Sequence, residues 1–247
     1  MAQYPTLVPI PGDGDCLFSA VLTGARAQAN HVVMGMNTVD DLRRAAVAAA
    51  TARGDAWDQG VPAHLRWESS SRLLVDDLDA RQAQDVLREA GLDWAGADVG
   101  TLAEAMENAG PTRRTVLLNG VVRAYQDTAT GAGAARLAEW YRSYAREHGR
   151  LPQVREAVLE ALRDRGLWNS PAGDNLPAAL ADLAGINLVV LQRQDGWFGR
   201  YNVVTEYGAG RPVQVVVVRE HRGRHYSTLG PRGYGGPTNP WTFFRVG

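Results

Sequence analysis

"INLVVLQ" at 186–192, "FGRYNVVT" at 198–205 and "VQVVVVRE" at 213–220 decide the architecture. All three are short, rich in β-branched and aromatic residues, and separated by Gly- and Asp-containing turns, which is the pattern of strands. "HYSTL" at 225–229 extends the same sheet. Ahead of these segments the chain has a different period. "CLFSAVLTGARAQ" (16–28) carries apolar residues at helical spacing, with Asp13 or Asp15 placed to cap it. "TVDDLRRAAVAAATARG" (38–54) is a second helix, capped by Thr38 with Asp40 and Asp41 in its first turn, where the helix dipole favours anions. Further helices are expected over "SSRLLVDDLDARQAQDVLREAG" (70–91, stopped by Gly91), "DVGTLAEAMENAG" (98–110), "GAARLAEWYRSYAREHG" (133–149), "PQVREAVLEALRDRG" (152–166) and "LPAALADLAG" (176–185). Asp174 and Asn175 are expected to cap the last of these. Helices largely ahead of a sheet, with no repeat and no linker, predict one α+β domain over 1–247, a central β-sheet flanked by helices, with 31–150 as an enlarged helical insertion or subdomain.

Composition narrows the function. The 247 residues are 45% hydrophobic and 21% charged with a net charge of −1, which describes a globular chain and not a disordered one. Arginines are scattered and not interleaved with aromatics, so no footprint for nucleic acid is present. No apolar run approaches the ~20 residues that span a bilayer, and the expectation is a soluble monomer with no membrane partner. One cysteine cannot form an internal disulfide, so a free thiol in a reducing compartment is the default. All 26 basic residues are arginine. GC-rich coding accounts for part of this; selection against lysine is the other reading.

The single cysteine lies in "GDGDCLFSAV" (12–21), in the first turn of its helix. Unpaired backbone N–H groups there favour a thiolate over a thiol, whose ordinary pKa is ~8.5, and the same groups can hold the oxyanion that forms when a thiolate attacks a carbonyl. Gly14 suits the sharp turn that precedes it. Free cysteines are also among the most buried residues, so position alone leaves Cys16 open to a nucleophilic or a core role. A nucleophilic thiol needs a base, and histidine is the usual one. His31, His64 and His148 read as structural, the last as a helix-end residue beside Gly149. His221 and His225 follow the strongest strand. Their spacing suggests a metal pair, but Gly223 interrupts the helix such a pair needs and no third ligand is apparent, so no metal is expected.

"DGDCLF" (13–18) and "RHYSTL" (224–229), with "GDNLPAALADLAGINLVVL" (173–191) between them, resemble the ovarian tumour (OTU) family of cysteine proteases, whose pattern is Asp-Gly-x-Cys-Leu-aromatic followed far downstream by His-aromatic. The resemblance covers about the first 30 and last 80 residues. It implies a papain-like fold and a thiol-dependent deubiquitinase without cofactor, which cleaves after the C-terminal glycine of ubiquitin or a ubiquitin-like protein. It implies Cys16 as nucleophile, His225 as base and Asp13 as the loop aspartate sometimes counted in the catalytic set. The oxyanion loop falls at Gly14 and Asp15. The departure is Ser227, where many members carry Asp or Asn to orient the imidazole; Asn239 or Asp13 are the substitutes, and "TNPW" gives Asn239 a turn role as well. Two other readings remain: a toxin-associated protease, self-processing or acting on a host target without ubiquitin, and an inactive ubiquitin-binding module. A bacterial protein delivered into a host cytosol, as an effector or part of a larger toxin, would gain from lacking lysine, since ubiquitin ligases attach to side-chain amines. The tryptophans read as core or loop anchors, with Trp197 and Trp241 as candidates for lining a peptide cleft. The arginine pairs at 43–44 and 113–114 read as solvated.

Overall fold

The computed structural model describes residues 7–12, 14–27, 35–54, 69–128, 131–193, 201–220 and 225–229. The chain divides into two compact units, Met1–Ala63 with Pro177–Gly247, and His64–Leu176. The sequence thus leaves the first unit and returns to it at Pro177. The architecture is α+β with an open sheet.

In the first unit the described strands are β1 (Leu7–Val8), β2 (Asn187–Arg193), β3 (Tyr201–Tyr207), β4 (Gln214–Arg219) and β5 (Tyr226–Leu229), in the order β1-β5-β4-β2-β3. All neighbours are antiparallel except β2 and β4, which run parallel. β4 lies inside the sheet, and its four consecutive valines, Val215 to Val218, are all buried. A strand covered on both faces has no use for alternation, which is why it is written as an unbroken apolar run. One of its faces packs with Val189 and Leu191 of β2, and with Leu7 and Val203 at the edges.

The first helix, α1 (Cys16–Ala27), packs across β4 and β5, and α2 (Val39–Arg53) packs on α1. At Gly24 the helix lies close against the sheet. A Cβ there would stand 3.2 Å from Thr228 Oγ1 and Val215 Cγ1, and 3.3 Å from the Val216 carbonyl oxygen. Glycine is needed here for space rather than for an unusual backbone angle. Thr38 caps α2 by accepting from the Asp41 N–H, as expected.

The second unit is helical among its described residues. Its helices are α3 (Ser70–Val75), α4 (Ala80–Glu89), α5 (Val99–Asn108), α6 (Pro111–Gln126), α7 (Ala132–His148) and α8 (Val154–Arg163), followed by 3₁₀ turns at Arg165–Leu167 and Pro171–Asn175. The helix expected over 70–91 is two helices. Asp79 accepts from the Gln82 N–H while the Gln82 side chain accepts from the Asp79 N–H, a reciprocal cap that starts α4 afresh. The core of this unit is Leu73, Leu87, Leu102, Met106, Leu117 and Leu137 with two buried tyrosines. Each tyrosine hydroxyl is satisfied: Tyr125 donates to the Leu74 carbonyl (2.6 Å), and Tyr141 donates to the Ser70 carbonyl (3.1 Å) while accepting from Ser70 Oγ (2.9 Å).

The 3₁₀ turn at Pro171–Asn175 runs directly into α9 (Leu176–Ala184), so Asp174 and Asn175 belong to a preceding helical turn. No helix among the described residues is long and apolar enough to cross a membrane.

Candidate functional site

Strand register brings the two ends of the chain together. β1 pairs with β5 as Leu7 with Leu229 and Val8 with Thr228. Continuing antiparallel, the segment after Val8 runs toward the start of β5, and there Gly12 meets His225. A Cβ built on Gly12 would lie 3.6 Å from His225 Nδ1 and 3.8 Å from Cε1. Four residues later Cys16 opens α1, which turns back across β5 and β4. Four residues span at most about 14 Å of chain. The loop that carries the cysteine is therefore held at the histidine's end of β5 by sheet hydrogen bonds on one side and helix packing on the other.

The loop has a defined internal structure. Gly14 sits at φ 85°, a conformation that costs other residues about 1–2 kcal/mol. The Asp15 carbonyl accepts the first helical hydrogen bond, from Ser19 N–H (2.9 Å), which makes Asp15 the N-cap position of α1. Its side chain is only 6% exposed and is paired with Arg43 of α2, Nε to Oδ1 at 2.6 Å. The same guanidinium donates from Nη2 to the Gly14 carbonyl (2.8 Å) and lies 4.1 Å over the Phe18 ring. Because the peptide is planar and trans, pinning the Gly14 carbonyl toward Arg43 turns the Asp15 N–H to the opposite side. One side chain thus fixes the direction of a backbone donor next to Cys16.

Arg43 corrects the sequence reading, which placed 43–44 on a solvated face. Arg44 is exposed and pairs with Asp41 three residues earlier, whereas Arg43 is 5% exposed. A signal for this exists in the sequence: Arg43, Ala46 and Ala50 fall at helical spacing, and all three are buried. Of the second pair, Arg113 and Arg114, Arg114 donates to the Met106, Ala109 and Gly149 carbonyls, so it ties loop ends within the helical unit.

Cys16 is in no disulfide and is fully buried. Burial suits the core role that its position leaves open, so any chemistry must be argued from what the loop is brought against. That neighbour is His225, whose side chain is 31% exposed. Its backbone carbonyl accepts from the Glu220 N–H (3.0 Å), closing the turn between β4 and β5. Ser227, fully buried, donates from Oγ to Glu220 Oε1 (2.8 Å), and the same oxygen is 4.0 Å from His225 Nε2. Position 227 therefore reaches toward the imidazole through the Glu220 carboxylate, a residue not among the orienting groups expected from the sequence. Glu220 was legible as a partner only by folding "REHRGRHY" into a hairpin, which sets Glu220 opposite His225.

Asp13, Asn239, Trp197, Trp241, His31, His64 and His221 lie outside the described residues. His148 does sit at a helix end, with Nδ1 3.1 Å from the Tyr144 carbonyl and its ring stacked on Tyr144. Among the described residues no group of three or more His, Cys, Asp or Glu side chains is placed to hold a metal ion. Comparison with protein-family models, with curated proteins and with solved structures yields no match.

Proposed function

We propose that the sheet-bearing unit is a papain-like thiol isopeptidase of the ovarian tumour type, acting on the C-terminal glycine of ubiquitin or a ubiquitin-like protein. The observation that carries the reading is Gly12, four residues ahead of Cys16, standing beside His225 Nδ1 at the end of β5. It is supported by the buried Arg43–Asp15 pair, which gives the loop the rigidity that a preorganised oxyanion site requires.

The chemistry follows from these parts. His225 takes the Cys16 proton, and the thiolate attacks the carbonyl carbon of the modifier's terminal glycine. The oxygen's new charge is met by backbone N–H groups of the Gly14–Cys16 turn, whose donors cost no reorganisation at the moment of reaction. Collapse breaks the C–N bond, the imidazolium gives its proton to the leaving amine, and a thioester remains. The imidazole then takes a proton from water as the hydroxide adds to the thioester. The C–S bond breaks, the acid product gives its remaining proton to solvent and leaves as the carboxylate, and the thiolate and imidazolium are restored. A positioned general base of this kind is worth about 10²–10⁴ in rate, and an oxyanion donor about 10²–10³. Nothing in the sequence of steps requires a cofactor.

The test is a panel of ubiquitin and ubiquitin-like proteins bearing a C-terminal electrophile, mixed with the purified protein. An adduct mapped to Cys16 and abolished in Cys16→Ala is the expected result. Adduct formation with no member of the panel overturns the substrate class; fragments of other proteins in a treated lysate would then identify a protease of different specificity. Binding of the modifier without an adduct would identify a silent binding module. The absence of lysine fits work in a cytosol that contains ubiquitin ligases. Introducing surface lysines should shorten the protein's lifetime there, and an unchanged lifetime removes that inference.

A further inference from the structure

We propose that Glu220 is the positioning residue for His225, with Ser227 as the side chain that holds it in place; this rests on the catalytic reading above. The imidazole has two edges, and the structure gives each a different neighbour. Nδ1 faces Gly12, on the segment that leads into the Cys16 loop, and Nε2 faces Glu220 Oε1 at 4.0 Å. An imidazole that exchanges a proton with the nucleophile through Nδ1 needs a group at Nε2 that holds the ring's tautomer and welcomes the imidazolium. A carboxylate does both.

Three contacts give Glu220 this place. Its own N–H donates to the His225 carbonyl (3.0 Å), so the two residues face each other across the end of the β4–β5 pair. Ser227 is two residues beyond His225, and on extended backbone such residues project to the same side. From there its hydroxyl donates to Oε1 at 2.8 Å, the very oxygen nearest Nε2. A hydroxyl alone would orient the ring weakly. As a donor to a carboxylate it takes up one lone pair of Oε1 and limits the carboxylate's rotation, leaving the remaining lone pairs for Nε2–H. The 4.0 Å separation is longer than a hydrogen bond, and it shortens to one by a small turn of either side chain, as catalytic contacts commonly do when substrate binds. The site thus has the carboxylate that position 227 lacks, supplied from the end of the neighbouring strand.

The test compares wild type with Glu220→Gln, Glu220→Ala and Ser227→Ala, and adds the double variant Glu220→Ala/Ser227→Asp, which returns a carboxylate to the same side of β5 as His225. On a fluorogenic ubiquitin substrate, Glu220→Gln is expected to lower kcat about tenfold, with KM within twofold, as a less well positioned general base would. Ser227→Ala should lose less, and the double variant should recover part of the loss seen in Glu220→Ala. A purely structural role would not split kcat from KM or be rescued by an aspartate at another position. Glu220→Gln with kcat within twofold of wild type overturns the assignment. A second readout needs no ubiquitin: Cys16 is the sole cysteine, so alkylation by iodoacetamide at neutral pH reports on one thiol. Alkylation slowed severalfold in Glu220→Gln, by a protein inert toward ubiquitin, keeps the Glu220 assignment and overturns only the substrate. In a protein inert toward ubiquitin, unchanged alkylation of Glu220→Gln overturns Glu220.

Discussion

Replacing Arg43 with methionine tests whether the loop before Cys16 is held by a buried ion pair. Both side chains of the Arg43–Asp15 pair are 6% exposed and the contact is 2.6 Å, so solvent does little to screen it. Methionine keeps most of the side-chain volume and an apolar contact over Phe18, but leaves the Asp15 carboxylate buried without its cation and the Gly14 carbonyl without its charged donor. Stranding a buried charge in this way costs about 3–5 kcal/mol, against a typical domain stability of about 5–15 kcal/mol. Lost contact with the Gly14 carbonyl is part of the same deletion and is not added to it. Urea unfolding at neutral pH, followed by circular dichroism, measures the loss. Asp15→Leu and the double variant complete the cycle: when both partners become apolar the stranded charge disappears, so the double variant should be more stable than Arg43→Met alone, with a coupling of about 2–3 kcal/mol. Its electrophile adduct should nonetheless form at least tenfold more slowly than in wild type, because the Arg43 hydrogen bond that aims the Gly14 carbonyl is lost. An Arg43→Met loss below about 1 kcal/mol, the range of exposed pairs, would refute the argument.

Gly24→Ala should be destabilising by about 1–2 kcal/mol although alanine is the better helix former by about 1, because its methyl meets the Val216 carbonyl on a fully buried strand; a stabilised variant in a thermal melt would refute this. Gly133→Ala should be worse, losing about 3 kcal/mol or more, since the new Cβ would fall 2.2 Å from the backbone oxygen of Asn169, and wild-type urea stability would disprove the close approach. Glu156 gives the helical unit an acid sensitivity. Burial by itself would raise this carboxyl, but both Arg150 Nη atoms (2.9 Å each), Tyr144 OH (2.6 Å) and the Gln153 N–H (2.6 Å) outweigh it and hold the group at about 2. A depressed folded-state value contributes stability that is complete above the unfolded value near 4.5 and is lost as pH falls from there toward 2. Wild type should therefore lose more stability than Glu156→Gln between pH 5 and pH 2.5, and parallel losses would remove Glu156 from the account.

Which parts of this molecule were legible in its sequence depends on how far each interaction reaches along the chain. Strands β2 and β4, helix α1 and the turn at Gly14 are written in local pattern: an unbroken valine run, helical spacing, a glycine where φ turns positive. Asp79 is also local, yet the apolar period on either side of it hides the break it makes between α3 and α4. Arg43 is a different case, since its partner lies 28 residues away and a charged side chain is normally assigned to solvent. Only a buried anion could bring it inside, and Asp15, read as a cap, did not announce one. Glu220 shows the same limit at short range. Looking forward from His225 for an orienting group finds Ser227 and stops, because sequence order does not say that the end of β4 returns beside it. Once β4 and β5 pair, Glu220 and His225 share a backbone hydrogen bond, and the serine's hydroxyl is directed to the glutamate. The residues that would do chemistry are thus the most legible part of the site. The residues that aim them are set by pairing and packing, and become visible only when the strands are laid side by side.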